Sequence, residues 1–245
     1  MDKAELVGKH VVVIGGSSGM GLAIARASAG AGAAVTIAGR DKARLACALV
    51  SIRPRATARQ LYIGDEAQVR SFFESSEAID HLVVTAHASS VVTGAIASLA
   101  DMTVGAARAF METKFWGPFM AAKYGRPRLA ADGSMIFFSG AAGARKLLPN
   151  HTAIGATNGA VESFARQLAK EIAPQRVNVI AAGLVRTPTY DGMGEGAREA
   201  MYAGYARNAL VGRVGEPEDI ALAAIYLMTA TYVTGQIHEI DGGRP

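Results

Sequence analysis

Three glycines, Gly15, Gly19 and Gly21, stand where the apolar run Val11-Val12-Val13-Ile14 gives way to the helix-forming stretch Leu22-Ala23-Ile24-Ala25-Arg26-Ala27. That spacing at a strand-to-helix turn suits a phosphate cradle. Gly15 permits the tight turn, and Gly16, Ser17 and Ser18 are small enough for backbone amides and hydroxyls to approach a phosphate. The helix N-terminus adds unpaired N–H groups and the positive end of its dipole. A dinucleotide is therefore expected here, against the plainer reading of a structural turn. About twenty residues further on, where an acid would hold a ribose diol, the chain has Gly39-Arg40. A guanidinium suits a 2′-phosphate, so NADP is expected in preference to NAD. The alternative is an Arg40 that merely pairs with a surface carboxylate.

The elements that must position these residues follow from periodicity. Short Val/Ile-rich runs alternate with Ala-rich amphipathic stretches, the pattern of an α/β fold with a parallel sheet covered on both faces. Strands are expected near 10–15, 34–38, 58–63, 81–85, 134–138, 176–181 and 237–240, and helices near 20–29, 41–51, 66–75, 103–128, 153–172 and 217–228. This predicts a doubly wound, Rossmann-type sheet of about seven strands. No Pro-rich, Ser-rich or charged linker divides the 245 residues, half of them apolar, so 1–245 reads as one domain. The Gly-rich stretch 188–212 follows a strand's carboxyl end, where open α/β sheets bind ligands; it reads as a substrate lid or, more blandly, as a surface connection.

Composition excludes several classes. The formal charge is +4, and the basic residues Arg53, Arg55, Arg59, Lys123, Arg126 and Arg128 lack aromatic interleaving, so nucleic acid is not the expected partner. Cys47 is the single cysteine, which precludes an internal disulfide and, without a His or Cys cluster, a thiolate metal site; no metal is expected. The start, Met1-Asp2-Lys3-Ala4-Glu5, has no apolar leader, and no long apolar run follows, so neither targeting nor a membrane is expected and a reducing cytoplasm fits.

The spacing Gly15-x-x-x-Gly19-x-Gly21, with Asn178 through Thr187 and Val233-Thr234-Gly235 through Asp241-Gly242-Gly243, resembles the short-chain dehydrogenase/reductase family over essentially the whole chain. The resemblance implies a seven-stranded Rossmann domain, a nicotinamide cofactor and usually a tetramer. It would place Gly15, Ser17, Ser18, Met20 and Gly21 on the pyrophosphate, Arg40 on the ribose phosphate, and Gly183, Val185 and Thr187 at the nicotinamide. Some contacts depart from the family. Tyr62 beside Ile63 replaces the usual adenine Asp, Ala86 is what survives of an Asn-Asn-Ala-Gly motif, and Ala182 replaces a proline before Gly183.

The catalytic positions depart further. The family's tetrad is Asn, Ser, Tyr and Lys, with Tyr and Lys four apart on one helix so that the lysine lowers the phenol's pKa. Here Lys114 takes the Asn position, Gly140 the Ser position with Ser139 one residue early, Ile154 the Tyr position and Asn158 the Lys position; no Tyr-x-x-x-Lys occurs. Tyr124-x-x-x-Arg128 resembles the pair of halohydrin dehalogenases but precedes the strand that should precede it, which makes it a decoy. The Asn and Lys have in effect exchanged places. Either the site keeps its polarity through Lys114, Ser139 and Asn158, or Lys114 snorkels outward and Asn158 is a helix-surface amide. His87 and His151 are candidate proton donors or packed histidines, and Met111, Phe115 and Phe119 read as core.

Two functions are expected from these residues. One is an NADP(H)-dependent oxidoreductase that interconverts a carbonyl and an alcohol on a small metabolite with atypical proton transfer. The other is a catalytically silent dinucleotide-binding subunit or redox sensor. The Ala- and Gly-rich helix faces (Ala106, Ala107, Gly155, Ala156, Gly159, Ala160) suit a homo-oligomer.

Overall fold

The computed structural model describes residues 6–52 and 56–244; the leader expectation at 1–5 and the basic residues Arg53 and Arg55 lie outside them. Seven strands form one parallel sheet in the order β3-β2-β1-β4-β5-β6-β7: β1 (His10–Ile14), β2 (Ala34–Gly39), β3 (Ala56–Gln60), β4 (Ile79–Val84), β5 (Leu129–Gly140), β6 (Arg176–Ala182) and β7 (Ile237–Ile240). The apolar runs are continuous because each strand is buried on both faces, and alternate residues feed separate cores. Val12, Ile14, Met135 and Phe137 enter one core, and Val11, Val13, Ile136 and Phe138 the other.

The helices are α1 (Gly19–Gly30), α2 (Lys42–Ile52), α3 (Glu66–Glu74), α4 (Ser90–Thr93), α5 (Val104–Met111), α6 (Gly117–Gly125), α7 (Ala141–Ala144), α8 (Thr152–Glu171), α9 (Glu195–Asn208) and α10 (Pro217–Thr229). Helices α3, α6 and α8 cover the first core through Phe72, Met120 and Val161; α1, α2 and α10 cover the second through Ile24, Leu45 and Leu227. Strand order reverses beside β1, and such switch points open a crevice beyond the strands' carboxyl ends. No described helix is long and apolar enough to cross a membrane.

Three expectations need correction. The helix expected over 103–128 is broken into α5, a π-helical turn at Glu112–Trp116, α6 and a 3-10 turn at Arg126–Arg128. Pro118 is the cause: it cannot donate to the carbonyl of Lys114 four residues earlier and its ring crowds that turn, and the wider π turn absorbs the misfit. Strand β5 consequently begins at Leu129, earlier than expected, with a register irregularity opposite Ile79 and His81. The strand expected at 58–63 lies at 56–60; Leu61 and Ile63 are buried instead as a loop turning in under α6, where a Cβ on Gly117 would lie 2.9 Å from Ile63. Finally, Phe119 and its neighbour Trp116 are exposed, at 36% and 45%, with Phe115 only partly buried against the core.

Candidate active site

The nucleotide end is shaped by main chain. Gly15 has φ +97°, and a Cβ there would lie 2.4 Å from Thr85 Oγ1 and 2.6 Å from the amide of Ala86; a Cβ on Gly21 would lie 2.3 Å from the carbonyl of Gly15. Both glycines are required by the close approach of this turn to β4. Ser18 is the N-cap of α1 yet its side chain caps nothing, so the hydroxyl and the first N–H groups of α1 remain open to a ligand. Gly15, Ser17, Ser18, Met20, Gly21, Arg40, Ile63, Ala86 and Thr187 line a groove of about 170 Å³ over this turn. The Arg40 side chain has no carboxylate partner among the described residues, whereas Asp41 accepts from the amide of Arg44 at 3.0 Å to start α2.

A second, larger cavity of about 460 Å³ adjoins the groove, with Met20, Thr85, His87, Thr187 and Thr189 in both walls. It gathers Lys114, Ser139, Gly140, Ile154, Asn158, Gly183 and Val185, so the cofactor and catalytic candidates named from the sequence lie on one of two joined spaces. Thr189, Tyr190, Met201 and Tyr205, from the 188–193 turn and α9, form one side.

The side chains in this cavity differ sharply in what they offer. Lys114 is 7% exposed, not snorkelling, and neither a carboxylate nor a hydrogen-bond acceptor among the described residues meets its ammonium. Burial alone pushes its pKa down to about 8. Asn158 is equally buried, and its Nδ2 donates to the carbonyls of Gly140 (3.3 Å) and Ala142 (3.1 Å). The amide orientation is thereby set, and Oδ1 is left buried without a partner. Ser139 donates its hydroxyl to Glu162 at 2.9 Å, so it too presents only lone pairs. Of the three sequence-predicted catalytic residues, then, two are acceptors and Lys114 alone is a donor. At Gly140 a Cβ would lie 3.1 Å from the Asn158 amide, which couples the small residue on β5 to the amide on α8. Ile154, in the position where the resemblance would put a tyrosine, packs with Ala95 and Phe110.

His87 is neutral: burial, reinforced by nearby Lys114, lowers its pKa to about 3. Its Nδ1 lies 3.1 Å from the carbonyl of Thr85, which only accepts, so Nδ1 carries the proton and Nε2 is a free base. His151 is partly buried at the rim with Nδ1 2.7 Å from the carbonyl of Pro149. The phenol of Tyr190 is pushed up to about 12 by burial, and that of Tyr205 donates to the carbonyl of Asp241 at 2.8 Å. Tyr124 donates to Glu66 on α3 and lines neither cavity, in keeping with its reading as a decoy.

Residues that sequence reasoning passed over include Arg44, on the groove one helical turn beyond Arg40, and Glu162, four residues after Asn158 on the inward face of α8. Glu162 begins a chain of charges through Arg145 (3.4 Å) to Glu239 (2.7 Å) behind Ser139. An acid on the apolar face of a helix was the legible signal for it.

A family model described as enoyl-(acyl carrier protein) reductase matches residues 14–244. The short-chain dehydrogenase/reductase ATR9 of Stachybotrys chlorohalonatus is 32% identical with 96% of each chain aligned. The chain belongs to the short-chain dehydrogenase/reductase family. Among its relatives of this family, malC of Malbranchea aurantiaca is 29% identical over 97% of this chain and 95% of its own. A solved malC structure, described as a reductase/Diels-Alderase, superimposes with a TM-score of 0.88 at 26% identity over 100% and 99% of the two chains. A crystal structure of a small-chain dehydrogenase in complex with NADPH gives a TM-score of 0.79 at 34% identity, covering 96% of this chain and 98% of its own.

Proposed function

We propose that this chain is an NADP(H)-dependent oxidoreductase that interconverts a carbonyl and an alcohol on a small metabolite. The observation that carries this reading is a buried, unpaired Lys114 ammonium facing an apolar cavity that opens onto a glycine-built nucleotide groove. The groove fits the cofactor because Ser18 leaves the first N–H groups of α1 uncapped, and Gly15 and Gly21 let the turn pack tightly enough on Thr85 and Ala86 to shape the groove. The Gly15–Gly21 turn would hold the pyrophosphate, Arg40 the 2′-phosphate, Ile63 and Ala86 the adenosine side, and Gly183, Val185 and Thr187 the nicotinamide. When bound, the cofactor supplies or accepts the hydride at the substrate carbon.

The chain's own residues do the rest. Lys114 Nζ donates to the substrate oxygen, stabilises the negative charge that develops there, and passes it a proton. Ser139 and Asn158 Oδ1 accept from the substrate hydroxyl, which positions it. The apolar walls exclude water, and residues 188–212 act as the lid of a single domain, 1–245. The malC structure is described as a reductase/Diels-Alderase and the NADPH-bound neighbour as a dehydrogenase, in keeping with hydride transfer in either direction. The protein works in the cytoplasm, without nucleic acid, membrane or metal, as a homotetramer packed through the Ala/Gly faces of α5 and α8 and exposed Trp116 and Phe119. A monomer in sedimentation at micromolar concentration would contradict the assembly.

Ile154, a hydrocarbon in the middle of the site, supports a second reading: a silent dinucleotide-binding subunit or redox sensor. Titration with NADPH and NADH, then NADPH oxidation and NADP reduction over a panel of ketones, aldehydes and alcohols, separates the two. Tight binding with turnover of a panel member supports the enzyme; tight binding with none supports the silent protein.

A further inference from the structure

An amine that is buried and unpaired in a cavity lined mostly by apolar surface has uses besides donating a hydrogen bond. Lys114 sits on the π-helical turn that Pro118 forces, and Phe110, Phe138, Ile154 and Val185 line the cavity it enters. No carboxylate among the described residues pairs with it, so nothing holds it as a structural ammonium. His87, whose Nδ1–H is spent on the Thr85 carbonyl, shares this cavity with a free Nε2.

We propose that Lys114 is an imine-forming amine for apolar aldehydes and unhindered ketones. The rest of the cavity decides the substrate class: the Phe110, Phe138, Ile154 and Val185 side of the wall accepts an apolar body, while the amine addresses a single carbonyl. In the first step the lone pair of Nζ adds to the carbonyl carbon, a C–N bond forms, and the carbonyl π pair moves to oxygen, which takes a proton. The carbinolamine then loses water: its C–O bond breaks, with the proton that leaves nitrogen balancing the one water carries away, and an iminium remains. A water molecule takes the α-proton to give the enamine, a proton returns to the same carbon, and water restores carbonyl and amine. The net result is exchange of the α-proton with solvent, with no oxidant or reductant consumed. Burial holds the amine at about 8, so a working fraction carries its lone pair near neutrality.

This inference rests on the placement of Lys114 in the cavity and not on the cofactor, so its test omits nucleotide. The full chain is mixed at neutral pH with hydrocinnamaldehyde and sodium cyanoborohydride, and the reduced adduct is located by peptide mass mapping. Lys114 is expected to be alkylated at least about tenfold faster than the exposed Lys42, Lys123 and Lys170. In deuterium oxide without the reductant, the aldehyde should gain α-deuterium faster than in buffer. Lys114→Arg, which keeps a cation but cannot form an imine, should lose both signals, whereas a purely electrostatic role would survive in it. Adducts confined to the exposed lysines overturn the proposal in the unmodified protein, whatever the variant's folding. An adduct at Lys114 without α-exchange overturns the enamine step. Neither result depends on whether NADPH is oxidised.

Discussion

At the nucleotide end of the crevice the main chain makes the shape: Gly15 and Gly21 pack against Thr85 and Ala86 with no room for a Cβ, and α1 presents unspent N–H groups. At the substrate end side chains on β5, α8 and the π turn make it, and their polar groups are largely spent on one another: Ser139 on Glu162, Asn158 on two carbonyls. A backbone cradle tolerates few substitutions because each added atom collides with main chain that cannot move aside. A side-chain site can be rebuilt one residue at a time while the fold stays intact, as the amide at position 158 and the amine at position 114 illustrate. The difference accounts for our proposal of a chain that keeps a nucleotide turn while the groups around its substrate change.

The contrast can be broken most violently at Gly21. Gly21→Ala would drive a Cβ to within 2.3 Å of the Gly15 carbonyl, and a loss of about 3 kcal/mol or more in stability is expected, together with loss of NADPH binding, read by thermal melts and titration. A variant as stable as the parent would mean that the turn is not as tight as described.

Lys114→Met should do the opposite to stability. The lysine's pKa is lower in the folded protein, about 8, than its ordinary 10.5, so the folded state binds the proton less well and charging it opposes folding. The penalty is complete below the folded value and vanishes as the pH rises through the unfolded one. Replacing the amine is therefore expected to stabilise the protein by about 3 kcal/mol at neutral pH, with the gain over the parent shrinking to nothing by pH 10.5. Denaturant melts of the two proteins side by side across that range check it; a destabilised variant at neutral pH would show that Lys114 has a partner.

Arg40→Ala sharpens the nucleotide half. Removing a charge-assisted contact worth about 1.5 to 3 kcal/mol should weaken NADPH by about 10- to 100-fold and leave NADH nearly unchanged. Equal binding of both cofactors by the parent would sink the 2′-phosphate assignment. The smallest effect is expected at Ser139→Ala. Glu162 keeps Arg145 at 3.4 Å, so a stability loss of about 1 kcal/mol and a modest change in turnover should follow. A collapse of turnover would instead make Ser139 a direct participant.

These two halves were unequally legible in the sequence. The strands and helices of the doubly wound sheet, the glycine turn and the place of Arg40 after β2 follow from period and local backbone demands, which a chain displays in its own order. The π turn did not, because an apolar helical period runs unbroken across 103–128 and Pro118 alone marks the fault. That fault lies in the segment that carries Lys114 inward, where the sequence left inward and outward directions open. The roles of Asn158 and Ser139 were hidden for another reason: whether an amide or hydroxyl donates or accepts depends on partners at the end of β5 and on Glu162, which only the fold brings near. Phe119 shows the reverse error, since an aromatic stripe of helical period marks an apolar face without saying whether the chain's own core or another surface covers it.

The central claim is that Lys114 has become the donor of a site whose nucleotide half is intact. It is tested most directly by measuring NADPH affinity and steady-state turnover of one carbonyl substrate in the parent and in Lys114→Met. The account predicts dissociation constants within about twofold and a loss of turnover of about 100-fold or more in the variant, the share a positioned acid and charge-stabilising donor supplies. Turnover by Lys114→Met at the parent's rate, with NADPH bound equally well, would contradict it and leave the proton to His151, Tyr190 or water.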